Sequence, residues 1–110
     1  MTSSVSMAAT PSPLVPSPLA VALAPTEVTA RYLVVAASDP GLLPRLLEPF
    51  AKLGTVPSRV HASREAGDGS ELTVDLRLTQ VAPRTAELIE LALRRVIGVR
   101  QLVAVVESIA

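Results

Sequence analysis

The sequence has no cysteine and no tryptophan, and it has only one histidine, one tyrosine and one phenylalanine. The absence of cysteine excludes disulfides and thiolate metal sites, and a single histidine cannot supply a histidine-rich metal cluster. Ten basic residues balance ten acidic ones among 110, so no net charge attracts nucleic acid or an anionic membrane. The length allows one domain and hardly more.

Charge is also missing from the first 26 residues, where half of the ten prolines fall. This composition predicts a disordered arm rich in proline, alanine and serine over residues 1–27. The alternative is an export signal, because the apolar run Leu19–Ala24 ends in an Ala-x-Ala pattern. That run lacks a basic residue near its start and is far shorter than the ~20 residues of a membrane span. We therefore expect a cytoplasmic protein with no membrane contact.

Four segments have the apolar pattern of strands. Alternation is clearest where Leu72, Val74, Leu76 and Leu78 are separated by polar residues, which predicts one buried and one wet face. Gly67–Ser70 has the composition of a hairpin turn. The predicted strands span, in chain order, residues 29–37, 56–64, 72–78 and 99–107.

Two segments have the spacing of amphipathic helices. The first ends at Gly54 and the second begins at Pro83, a residue well suited to a first helical turn, and ends at Gly98. The core stripe of the first is predicted as Leu43, Leu46, Leu47, Phe50 and Leu53. The core stripe of the second is predicted as Ala86, Ile89, Leu93, Val96 and Ile97.

The element order β-α-β-β-α-β predicts an α+β, ferredoxin-like sandwich over residues 28–108, with two helices on one face of a four-stranded antiparallel sheet. A domain of about 80 residues buries a limited share of its surface, so we expect burial to increase through dimerisation. Leu88 and Leu91, off the main helical stripe, are candidates for dimer or partner contact, together with Val60 of the second strand.

The sequence offers few candidates for catalytic side chains. Strand alternation places His61 with Arg59 and Ser63 on the wetter face of the second strand, where a surface role is expected. The carboxylates show no paired arrangement, and the chain has no glycine-rich phosphate-binding loop. Tyr32 alone could stack an RNA base on the central strands. We therefore predict no enzyme, no nucleic-acid binding, no catalytic residue and no metal site.

The loop after the first strand is the one candidate binding feature. Ser38 or Asp39 can simply cap the first helix. Gly41 would also let the backbone approach a bound molecule, and free N–H groups at a helix start favour a carboxylate. The loop therefore predicts either a helix cap alone or a site for a small carboxylate ligand.

The run Asp39-Pro40-Gly41-Leu42-Leu43, followed by a helix closed by Gly54, a hairpin, a helix and a strand, resembles the ACT domain. The resemblance covers about residues 29–108. Within that family the chain is most similar to the short, single-domain regulatory small subunits of acetolactate synthase. The similarity in residue types and their spacing extends from Leu78-Thr79 through Pro83-Arg84-Thr85 and Glu87-Leu88-Ile89 to Val99.

The resemblance implies a non-catalytic regulatory subunit without a cofactor of its own. Such subunits form homodimers, bind and activate the large acetolactate synthase subunit, and often sense a branched-chain amino acid; thiamine diphosphate, flavin and magnesium belong to the large subunit. The alternative is a stand-alone ACT-type sensor or dimerisation module for another metabolic enzyme.

The same resemblance implies where a ligand would bind. Its contacts would be Asp39, Gly41, Leu42 and Leu43 of one chain, with Val56 and Pro57 at the start of the neighbour's second strand. Val56 stands where valine-sensitive members carry an asparagine, and an apolar side chain cannot hydrogen-bond the polar head of a ligand.

Overall fold

The computed structural model describes residues 27–64 and 67–108, so the predicted N-terminal arm lies outside the described residues except for Glu27. The described chain forms six elements in the predicted order. These are β1 (Val28–Ala37), α1 (Leu42–Lys52), β2 (Arg59–Ser63), β3 (Glu71–Val81), α2 (Pro83–Arg94) and β4 (Val99–Ser108). The strands form one antiparallel sheet in the order β2-β3-β1-β4. The α+β ferredoxin-like fold predicted from the sequence is therefore confirmed.

The two central strands carry most of the core because every second residue turns towards the helices. The prediction for β3 is confirmed, since its four alternating apolar residues are all buried. β1 has the same alternation, with Ala30, Tyr32, Val34 and Ala36 buried and Leu33 exposed on the opposite side. The side of the sheet away from the helices, called the open face below, is thus free of helical cover.

The strand that follows α1 differs from its prediction. A strand over residues 56–64 was expected, but β2 has only five residues, Arg59–Ser63. Neither of its faces is buried, since Arg59, Val60, His61 and Ala62 are all exposed. The reason is that neither helix packs over β2, whereas α2 covers β4 at the opposite edge.

The turn between β2 and β3 confirms the hairpin prediction. Gly67 and Gly69 have φ angles of +65° and +86°, in the region that favours glycine. Asp68 Oδ1 accepts a hydrogen bond of 2.9 Å from the Ser70 N–H. Hydrogen bonds from Ser70 hold the pKa of the Asp68 carboxyl below its ordinary value.

Each helix buries one stripe of side chains against the sheet. α1 buries Leu42, Leu46 and Phe50, and α2 buries Ala86, Ile89 and Leu93. Gly54, with φ +67°, follows the end of α1 and gives its N–H to the carbonyl of Ala51 at 3.1 Å. This is the helix end that the sequence predicted.

The predicted stripes are wrong at their last positions. Leu53 is exposed, and Ile97 is 81% exposed, although helical periodicity placed both in the core. The physical reason is that α1 stops at Lys52 and α2 at Arg94, so the chain leaves the helical path before these residues. The result is an apolar side chain, Ile97, presented to solvent beside the start of α1.

Tyr32 connects β1 to both helices. Its side chain is fully buried, and its hydroxyl donates a 2.6 Å hydrogen bond to the carbonyl of Ala86 in α2. Its ring meets the Phe50 ring edge to face, with centroids 6.5 Å apart and an interplanar angle of 77°. Burial raises the pKa of Tyr32 to about 12, and the Glu90 carboxylate adds a smaller effect in the same direction.

The raised pKa of Tyr32 predicts a loss of stability at alkaline pH. An unfolded tyrosine ionises near pH 10, so between about pH 10 and 12 the unfolded chain loses a proton that the folded chain keeps. Stability should be intact below pH 10 and fall by about 2–3 kcal/mol as pH rises through that window. Urea unfolding at a series of alkaline pH values measures this fall in the free energy of unfolding. Tyr32→Phe is the control, because it removes the ionising group and should flatten the pH dependence.

Candidate functional site

The loop between β1 and α1 is held from both sides by backbone hydrogen bonds. The Ala37 N–H donates to the carbonyl of Gly98 at 2.9 Å, and the Ser38 N–H donates to the carbonyl of Ser70 at 3.0 Å. The loop is therefore fixed between the β2–β3 hairpin and the segment that follows α2. Its geometry is set by the sheet.

Asp39 occupies the start of α1 with both its backbone and its side chain. Its carbonyl accepts the Leu42 N–H at 3.0 Å, and its Oδ2 accepts the Gly41 N–H at 3.2 Å. Gly41 is the N-cap residue, so Ser38 and Asp39 are not the cap residues that the sequence suggested. Asp39 lies two residues before the cap residue and instead accepts hydrogen bonds from the first two amides, those of Gly41 and Leu42.

Arg45 completes the site and was not singled out from the sequence. Its Nη2 lies 2.9 Å from Asp39 Oδ2 and donates a longer bond, 3.4 Å, to the carbonyl of Ile97. Arg45 follows Gly41 by four residues, one helical turn, and this spacing was the signal that could have found it. A Cβ added to Gly41 would lie 2.7 Å from Arg45 Nη1, so glycine makes room for the guanidinium.

The loop and its neighbours present a carboxylate, a guanidinium, a backbone N–H and an aliphatic side chain. The side chains of Asp39 and Arg45 are each about half exposed, which gives one carboxylate and one guanidinium next to each other. No acceptor among the described residues bonds the Leu43 N–H, which points out of the first turn of α1. Ile97 adds an exposed aliphatic surface. A small zwitterion with an aliphatic side chain matches this set of groups.

The residues expected to bind a ligand fall into two separate places. Asp39 and Gly41 lie in the loop and Leu43 lies in the first turn of α1, whereas the Leu42 side chain is fully buried. Val56, 84% exposed, and Pro57 lie beyond the other end of α1, whose 11 residues span about 16 Å. One chain therefore does not bring the two groups together.

A groove of about 680 Å³ lies between α1 and α2. Leu88 and Leu91, expected to contact a partner, both line it, whereas Val60 lies away on β2. Arg45 and Ile97 belong to the groove as well as to the loop site. A change at the loop would therefore reach the groove directly.

A second polar cluster lies on the open face of the sheet. Asp75 Oδ2 is 3.1 Å from Arg31 Nη2 and 3.8 Å from Arg59 Nε, and His61 is its cross-strand neighbour. Asp75 Oδ1 is buried and has no hydrogen-bond partner among residues 27–64 and 67–108. The described residues contain no group of three or more side chains that could hold a metal ion. The cluster is an ion-pair network across the strands.

The model of the ACT-like domain family matches residues 23–108, which is most of the chain and includes all six elements. The chain belongs to the ACT-like domain family. ACT domains are regulatory, non-catalytic modules that bind small molecules. Within residues 27–64 and 67–108 this ACT-like domain has no helix with the length and apolar character needed to cross a bilayer.

Solved structures share the fold of this ACT-like domain at low sequence identity. The ACT domain from GTP pyrophosphokinase of Chlorobium tepidum is 18% identical, with a TM-score of 0.60 over 73% of this chain and 100% of that one. The C-terminal domain of the MgtC protein from Mycobacterium tuberculosis is 14% identical, with a TM-score of 0.57 over 78% and 93%. The regulatory subunit of aspartate kinase from Thermus flavus is 15% identical, with a TM-score of 0.50 over 76% and 52%. No curated protein matches the sequence.

Proposed function

We propose that this ACT-like chain is a regulatory subunit that senses an aliphatic amino acid at the β1–α1 loop and acts on a catalytic partner through the helix groove. The observation that carries the proposal is the Asp39–Arg45 pair beside exposed Ile97, because Arg45 and Ile97 also line the groove. The effect of a ligand can then pass to a partner without a change of fold.

The proposed ligand follows from the groups at the loop. The Asp39 carboxylate would receive the ammonium group, and the Arg45 guanidinium with the Leu43 N–H would receive the carboxylate. Ile97 would contact the aliphatic side chain. A second copy would add Val56 and Pro57 to the site, and its Val56 would supply an apolar contact in place of a hydrogen bond.

The proposed partner is the large catalytic subunit of acetolactate synthase, in the cytoplasm. Support comes from the similarity of Leu78–Val99 to the short regulatory subunits of that enzyme. All cofactors of the reaction would reside in the large subunit, and this chain would raise its activity. Leu88 and Leu91 in the groove would contact it.

Association and activation test the partner. We expect the full chain to pull down a large acetolactate synthase subunit and to raise its turnover. Leu91→Asp should weaken this association at least about tenfold, because it replaces an exposed apolar side chain of the groove with a charged one. Val60→Asp is the matched control, since Val60 and Leu91 are both 45% exposed and only Leu91 lines the groove. If the chain neither associates with the large subunit nor raises its turnover, the proposed partner is wrong.

The second candidate function is a stand-alone amino-acid sensor for another metabolic enzyme. Val56, in place of the asparagine typical of valine-sensitive subunits, favours it. Calorimetry with valine, leucine and isoleucine separates the two candidates when combined with the pull-down. Amino-acid binding without association with the large subunit would support the second candidate over the first.

A further inference from the structure

Three arginines start side by side on the open face of the sheet. Antiparallel pairing places Arg59 of β2 opposite Arg77 of β3, and Arg77 opposite Arg31 of β1. Directly opposed residues point to the same face of a sheet. That face is the open one, because Leu76 and Leu78, which flank Arg77 along β3, are buried in the core. The three side chains form one row across three strands, called the arginine row below.

The charges of the arginine row are only partly balanced. Like charges directly opposite each other destabilise a sheet, so such a row is unusual without a counter-ion. Asp75 Oδ2 lies 3.1 Å from Arg31 Nη2 and 3.8 Å from Arg59 Nε. Among residues 27–64 and 67–108 no carboxylate pairs with Arg77, the central member of the row. A single carboxylate thus contacts the row, which leaves two of its three positive charges unbalanced.

Two other carboxylates share the open face but do not contact the arginine row. Glu71, at the start of β3, is instead 3.0 Å from Arg100. Glu107 lies on the edge strand β4 opposite Thr29, one row beyond the arginines. Within the described part of the chain, the excess positive charge of the row is therefore open to an anion from solution.

Asp75 holds the two outer arginines while it stays largely out of reach itself. Its side chain is only 15% exposed, whereas those of Arg31 and Arg59 are each about half exposed. A guanidinium group has five N–H donors, so contact with one carboxylate leaves several of them free. The row therefore presents hydrogen-bond donors to solvent and keeps its one acceptor beneath them.

A shallow pocket of about 270 Å³ adjoins the arginine row. Leu33 and Val35 of β1 give the pocket apolar surface, and His61 and Thr73 give it polar atoms. Asp75 lines the pocket and also contacts two of the arginines, so the pocket and the row meet at this residue. A ligand anchored on the arginines thus has room beside them for an uncharged group.

The width and charge of the arginine row match a diphosphate group. Neighbouring strands are about 4.8 Å apart, so the Cα atoms of the three arginines span about 10 Å. Each guanidinium group can bind two phosphate oxygens at once through parallel hydrogen bonds. Three such groups in a line can contact two linked phosphoryl groups. A monocarboxylate would supply only one negative charge against the two positive charges in excess.

We propose that the arginine row binds a diphosphate group, either as free pyrophosphate or as part of a nucleotide whose remaining atoms lie in the adjoining pocket. Arg77 makes the central contact, and Arg31 and Arg59 bind from its two sides. Because the arginines are exposed, we expect a Kd on the order of 100 µM. The site goes beyond the proposed function, since it lies on the face away from the helices and its ligand is neither an amino acid nor an enzyme.

Calorimetric titration of the full chain tests the ligand. The titrants are pyrophosphate, ADP and inorganic phosphate, without amino acid or divalent cation. We expect pyrophosphate or ADP to bind at least about tenfold more tightly than phosphate. Tighter binding of ADP than of pyrophosphate indicates a nucleotide, and otherwise the ligand is free pyrophosphate. Equal affinity for phosphate, or binding of none of the three, would overturn the proposal and leave the proposed function untouched.

Removal of the central guanidinium group tests the arginine row. Arg77→Gln breaks no ion pair among the described residues, and it should raise the Kd of the tighter ligand at least about tenfold. Arg95→Gln is the matched control, because it removes the same charge from an exposed position at the end of α2, on the helix side of the sheet. It should leave the Kd within about twofold. An equal rise in both variants would mean that only net charge matters and would exclude the row.

A carboxylate added at the end of the arginine row tests its position. Val105 lies opposite Arg31 on the open face, whereas Val106 lies opposite buried Ala30 on the helix side. The two valines are 46% and 48% exposed on the same strand. Val105→Glu should raise the Kd roughly fivefold, because its carboxylate pairs with Arg31 and repels the ligand, and Val106→Glu should leave it unchanged. Equal Kd values for the two variants would place the anion away from the row.

Discussion

Phe50→Ala should lower the melting temperature by roughly 15–30 °C, because truncation of a buried phenylalanine costs about 3–5 kcal/mol. Phe50 is fully buried in α1 and packs edge to face on Tyr32. The chain has no other phenylalanine or tyrosine and no tryptophan, and the rest of its buried core is aliphatic. A loss of this size is a large part of the 5–15 kcal/mol that typically stabilises a domain.

Leu53→Ala is the matched control for the loss of Phe50. Leu53 follows the same helix but is exposed, so its truncation should change the melting temperature by only a few degrees. Circular dichroism of both variants against the parent chain measures the difference. Equal melting temperatures for the two variants would show that Phe50 does not hold α1 to the sheet.

Gly41→Asp should weaken the response to an aliphatic amino acid at least roughly tenfold while the fold is retained. The new side chain would begin 2.7 Å from Arg45 Nη1 and 3.4 Å from Asp39 Oδ2. Its carboxylate would compete with Asp39 for the guanidinium and repel an approaching ligand carboxylate. Gly41 has φ −85°, an ordinary conformation for any residue, so the backbone does not oppose the substitution.

Calorimetry with valine, leucine and isoleucine compares this variant with the parent chain. Thr79→Asp adds the same charge at an exposed position near the other end of β3 and should leave binding unchanged. An unaltered response in Gly41→Asp would place the ligand away from the β1–α1 loop. Both variants should keep the circular dichroism spectrum of the parent chain, so that a change in binding does not reflect a loss of fold.

The fold could be predicted because its strongest signals are local. The alternation from Leu72 to Leu78 fixes one face of β3, and Gly54 and Pro83 mark a helix end and a helix start whose backbone conformations these residues favour. In the helices, periodicity placed Leu53 and Ile97 in the core because it cannot show that a helix has already ended, and it missed buried Leu42 at the first position of α1. These errors lie within a few residues of a helix terminus, where patterns are least specific.

The candidate site was only partly predictable. Asp39 and Gly41 could be found because a proline–glycine turn before a helix is visible in the sequence. The contact of Arg45 with Ile97 joins positions 52 residues apart, and only the folded chain brings them together. Val56 and Pro57 were grouped with the loop by resemblance, and the length of α1 explains why one chain keeps them apart.

Tyr32 also determines how this protein can be observed. With no tryptophan present, it is the only strong chromophore in the near ultraviolet, and its ring and hydroxyl are both enclosed by the core. Absorbance, fluorescence and near-ultraviolet dichroism therefore all report on one place, where β1, α1 and α2 meet. A change in these signals would therefore indicate that the packing at this junction has loosened. Binding at the exposed loop or on the open face of the sheet would leave the spectra unchanged unless it alters the core.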